Sequence, residues 1–172
     1  MVDNAFPNQV VAFTHDYSIT GFLSLKEKRL SDFLNDKLDT LILLHNVCVA
    51  RLENPAKTLE VTKSSIIPKA GIVLAFEPPQ SSKPTVRKFI KYPKTKYDVF
   101  IATDGMEIHG HLNQSGPLDL KQAVMNASES FIPITEATVH FKVNPAFILK
   151  QEAVLINVQR LRLIGELKQV PE

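Results

Sequence analysis

The chain has 172 residues, 44% hydrophobic and 22% charged, with a formal net charge of +2; this is the composition of an ordinary globular protein and excludes collagen-like or low-complexity chains. A lone cysteine, Cys48, excludes an internal disulfide framework and a cysteine-based zinc site. No apolar run nears the roughly 20 residues that cross a bilayer as a helix, and the opening MVDNAFPNQV lacks the basic and apolar regions of a signal peptide, so a cytoplasmic location is expected.

Residues 1–9 are polar and aperiodic and are expected to form a flexible N-terminus. Residues 10–13 and 17–24 then read as two short strands, with Ile19, Gly21 and Leu23 sharing the core face by alternation. The stretch VVAFTHDYSITGFL (10–23) recurs as VFIATDGMEIHGHL (99–112), with five identities in fourteen positions. The repeated glycine, Gly21 and Gly110, implies close approach of another backbone or a bulge. Next, residues 30–35 (LSDFLN) place Leu30, Phe33 and Leu34 on one face of a short helix, and residues 120–125 (LKQAVM) do the same with Leu120, Ala123 and Val124. Residues 41–52 match 131–143 as strands, and Asn54-Pro55-Ala56 matches Asn144-Pro145-Ala146 as a turn. Beyond that turn the matching offset drops to 88, pairing residues 59–63 with 147–151 and 66–67 with 154–155. Last strands are expected at 72–76 and 161–164. In the second hairpin, Gly105 is expected to supply a positive φ to the turn.

The chain is therefore expected to be mainly β: a tandem repeat of two small β-β-α-β-β-β units, barrel-like or strongly bent, packed as a pseudo-two-fold pair. The expected organisation is a first repeat at 10–77, a basic Pro/Ser-containing linker at 78–96, a second repeat at 97–166 and a C-terminal tail at 167–172. The linker is electrostatically distinct. Residues 83–96 hold six basic residues and no acidic one, which leaves fourteen basic against eighteen acidic residues elsewhere.

Arg29-Leu30-Ser31-Asp32-Phe33-Leu34-Asn35, set between a strand of x-G-x-L pattern and an apolar strand, resembles a family of uncharacterised small prokaryotic β-domains. The resemblance covers the first half from about Tyr17 to Phe76, implies a small β fold and carries no activity with it. The second half has no Arg, Ser or Asp at the positions of Arg29, Ser31 and Asp32. The polar part of the motif thus occurs once.

Three candidate sites follow, each beside a plainer reading. Arg29, Ser31, Asp32 and Asn35 could grip a ligand, or Arg29 and Asp32 could only order the strand-to-helix turn. Arg87, Lys88, Lys91, Tyr92, Lys94 and Lys96 suit phosphate contacts with base stacking, or an anionic surface, or form a solvated linker. Glu107, His109 and His111 alternate on one strand face, as metal ligands or as a solvated face. No catalytic constellation, phosphate loop or cofactor fingerprint occurs. A non-enzymatic binding or scaffold protein is the expected function, with a protein partner first, nucleic acid second, and homo-oligomers open.

Overall fold

Apolar–polar alternation becomes ten strands. The computed structural model describes residues 6–79, 93–125 and 129–168. The first half supplies β1 (Asn8–Phe13), β2 (Tyr17–Leu23), α1 (Leu30–Asn35), β3 (Leu41–Arg51), β4 (Thr58–Pro68), a 3₁₀ turn (Lys69–Gly71) and β5 (Leu74–Phe76). The second supplies β6 (Thr95–Thr103), β7 (Met106–Gln114), α2 (Leu120–Met125), β8 (Phe131–Phe141), β9 (Asn144–Asn157), a 3₁₀ turn (Val158–Arg160) and β10 (Leu161–Glu166). The first strand of each half starts two residues earlier than expected.

All ten strands join one antiparallel sheet in the order β10-β6-β7-β8-β9-β5-β1-β2-β3-β4. Within each half the fifth strand returns beside the first, so the two halves share one strand order. The halves do not close into barrels. The outer edge of β5 pairs instead with β9, through Leu74 opposite Ile156 and Ala75 opposite Leu155. Nor is the packing two-fold: a two-fold axis would join like edges, whereas β5 holds in its half the place of β10, not of β9. The seam is head to tail.

Register corrects the expected alignment of the fourth strands. Leu43 faces Ile66, and Pro133, ninety residues on, faces Leu155. Ile66 therefore matches Leu155 rather than Val154, and with a side-chain period of two that single residue changes the face. The second Asn-Pro-Ala is not a turn either. Phe141 pairs with Asn144 across a two-residue turn, so Asn144, Pro145 and Ala146 already belong to β9. Gly105 lies outside the positive-φ region. Its hairpin is closed by Thr103, whose Oγ1 accepts the Met106 N–H at 3.1 Å.

Two apolar clusters fill the core, and both cross the seam. One combines Phe13, Val73, Leu74 and Phe76 of the first half with Ile108, Ile134, Phe141 and Ile156 of the second. The other combines Leu30, Leu34, Ile42 and Ile72 with Phe131 and Leu155. Apolar faces that each half would leave wet are dried by its neighbour.

Candidate functional site

The motif Arg29–Asn35 lies at the seam. The Arg29 backbone N–H donates to Asp32 Oδ2 at 3.4 Å, and the Phe33 N–H to Arg29 O at 3.1 Å, so these residues start α1. Leu30 and Leu34 bury its apolar face. Asn35, at the last turn, reaches across to β8: its Oδ1 accepts the Ser130 and Phe131 N–H groups, both at 2.8 Å, and its Nδ2 donates to Phe131 O at 3.1 Å. Lys69 finishes the helix. Its Nζ donates to Phe33 O at 2.7 Å and Asp36 O at 3.0 Å and sits 5.0 Å above the Phe33 ring centre. Burial lowers its pKa, against the nearby carboxylates of Asp39 and Asp36.

Asn157 closes the same seam from β9. Its N–H donates to Val73 O at 3.0 Å, and its Nδ2 to Ile72 O at 2.9 Å. Arg160 Nε donates to Ala70 O at 2.8 Å. Between these groups is an open cleft of about 220 Å³ lined by Asn35, Asp39, Lys69, Ser130 and Gln159 among others. Arg29 and Ser31 line a second cleft on another flank of α1, with Phe76, Pro133 and Leu155. The four motif residues thus do not converge on one cleft, and the Asn35 amide oxygen is taken by backbone. Replacing Asn35 with Ala strands two N–H groups and a carbonyl, an expected loss of about 2 kcal/mol. Thermal unfolding should read this as a Tm lower by roughly 4–8 °C. An unchanged Tm would return Asn35 to the list of ligand residues.

Of the basic stretch, Arg87, Lys88, Lys91 and Tyr92 lie outside the described residues. Lys94 is exposed at the approach to β6. Lys96, on β6, forms an ion pair with Glu136 of β8. That bond, with His111 also near, holds the Glu136 carboxyl below its ordinary pKa.

The three β7 residues separate by partner. His111 stands between two carboxylates, with Nδ1 2.7 Å from Asp98 Oδ1 and Nε2 3.1 Å from Glu136 Oε2. His109 packs its ring against Phe100 and His140. Glu107 is exposed and faces His140 across the ladder. Among the described residues no three His, Cys, Asp or Glu side chains gather as metal ligands. The metal reading of Glu107, His109 and His111 therefore finds no convergent set. Glu136 reaches His111 because it is a bulge residue with φ of 50°, and Asn46 holds the matching bulge in β3 with φ of 49°.

The surface feature that the sequence reading passed over is an apolar strip at the sheet end. Leu41, Leu43 and Ile66 are exposed on the outer face of β3 and β4, with Leu43 directly opposite Ile66. Val61, further along β4, is also exposed. The signal was present in Leu41-Ile42-Leu43-Leu44, where a strand wetted on one face should alternate and this one does not. The strip borders β4, the last strand of the sheet. Unpaired backbone beside exposed aliphatic side chains is a surface suited to adding a strand from another chain. Among the described residues no helix is long and apolar enough to cross a membrane. No family model, curated protein or solved structure matches the chain.

Proposed function

We propose that the chain is a non-enzymatic binding or scaffold protein, a tandem repeat of one β-β-α-β-β-β unit, that works through protein–protein contact at its open sheet end. The exposed strip of Leu41, Leu43 and Ile66 beside the outer edge of β4, which no strand among the described residues pairs, carries this reading. A contiguous exposed aliphatic strip beside a strand edge adds aggregation risk to an isolated fold, so its exposure favours a surface that is covered in use. The shared strand order and the matching bulges at Asn46 and Glu136 support the duplication. The lone Cys48 suits a reducing, cytosolic setting.

The test places a photo-crosslinking residue at Leu43 in cells of the native host, with the exposed Lys150 of β9 as control. Adducts to a defined protein from Leu43 and none from Lys150 are expected. Failure to capture any protein at Leu43 would refute the reading.

A further inference from the structure

The seam between β9 and β5 has two unfilled counterparts, one at each end of the sheet. By place in the sheet, β4 corresponds to β9, and β10 corresponds to β5. Register fixes the matching residues. Ile66 faces Leu43 as Leu155 faces Pro133, and Leu163 faces Ala102 of β6 as Leu74 faces Phe13 of β1. At the filled seam Leu155 is 9% exposed, Leu74 0% and Phe131 2%; their counterparts Ile66, Leu163 and Leu41 are 63%, 54% and 45% exposed. The helices agree. α1, which the second half covers, buries Leu30 and Leu34, whereas α2, at the other end, buries none of its residues.

We propose that β4 of one copy pairs antiparallel with β10 of the next, in the register of β9 with β5, so that the protein assembles head to tail with itself. The proposal rests on the scaffold reading above and names its partner as a second copy. It continues an interface the molecule already contains. At Ile66, Leu163 and Leu41 an aliphatic residue stands exposed where the filled seam buries its counterpart; Ile67, the counterpart of Ile156, is already buried, Gly165 stands in place of Phe76, and the chemistry at the rim changes in step. Asn35, which clamps the backbone at Phe131, is matched by Met125, exposed beside Leu41 of the incoming copy. One polar clamp becomes an apolar contact.

The second joint is the weaker of the two. Pro68 stands where Asn157 donates its N–H and side chain, and Gly71 stands where Arg160 reaches Ala70 O. Assembly is therefore reversible and concentration-dependent. Because it joins unlike edges, it builds a ring or a filament by repetition of one contact.

Purified full-length protein, followed by sedimentation velocity over a wide concentration range, tests this. Wild type should associate as concentration rises. Ile66→Glu and Leu163→Glu should each weaken association at least about tenfold, because each puts a carboxylate into the joint. Mixed in equal amounts, the two variants should form a one-to-one dimer and nothing larger, since the intact β10 of one meets the intact β4 of the other. Both sites are exposed in the single copy, so Tm should hold; Met125→Lys on α2 gives an independent reading of the same joint. A wild-type protein that stays monomeric overturns the proposal, as does either variant alone assembling like wild type, the mark of like-edge pairing. Monomeric protein that still captures another protein at Leu43 in cells would end self-pairing and leave the scaffold reading standing. Monomeric protein with no capture would end both.

Discussion

Phe131→Ala is expected to cost about 3–5 kcal/mol, the usual loss when a buried phenylalanine is removed and its cavity only partly collapses. In a chain of this length that lowers Tm by roughly 6–20 °C. Phe131 opens β8, yet its side chain belongs to the cluster built on Leu30, Leu34, Ile42 and Ile72 of the first half. Asn35 grips its backbone on both the N–H and the carbonyl. The substitution therefore loosens the seam as well as the core. Leu41, ninety residues earlier and at the same strand position, is exposed, and Leu41→Ala should change the stability of dilute protein by less than about 0.5 kcal/mol. Denaturant unfolding of both variants checks the pair. Equal losses would mean that Phe131 is not a seam residue.

Gly110→Ala should cost about 3 kcal/mol, and Gly21→Ala clearly less. A Cβ at Gly110 would lie 2.5 Å from Ile134 Cγ2, 2.9 Å from Thr135 O and 3.3 Å from Ala137 Cα. Two of those three are backbone atoms, on either side of the Glu136 bulge, and can move only if β8 moves. At Gly21 the nearest atoms are Leu44 Cβ at 2.9 Å, which is fixed to the β3 backbone, Val47 Cγ2 at 3.1 Å and Leu44 Cδ1 at 3.2 Å. One contact under 3.0 Å asks a smaller shift of β3 than the two at Gly110, the closer at 2.5 Å, ask of β8. The two glycines look alike in sequence and differ in what crosses them. Matching Tm losses in the two variants would refute the distinction.

How far the sequence could be read depended on the range of each interaction. The helices at Leu30–Asn35 and Leu120–Met125 were legible because three- and four-residue spacing is local. The hairpins and the inward set of Ile19, Gly21 and Leu23 were legible for the same reason, from period two. In sequence Asn35 reads as one of four ligand-gripping candidates with Arg29, Ser31 and Asp32, but its partners are 95 and 96 residues away, so its task as a seam clamp could not be inferred. Lys69 and Asn157 carried no motif at all; their role exists only where the end of α1 meets the end of β9. The histidines of β7 were placed correctly on one face. Their neighbours on β6 and β8, not their spacing, decided that His111 would lie between Asp98 and Glu136.

By itself, then, the sequence determined a mainly β chain, two short helices and the residues that face inward along most strands. These follow from steric alternation and turn chemistry, which act over a few residues. Only the tertiary structure decided how the edges are spent. Each half leaves two unlike edges with unpaired backbone, and β5 found β9 in the other half rather than β4 in its own. Hydrogen bonding drives every edge to pair without specifying which, and burial of Phe131, Leu155, Leu74 and Phe76 across that seam selected the partner. The same choice left β4 and β10 at the two ends of the sheet with Ile66 and Leu163 exposed.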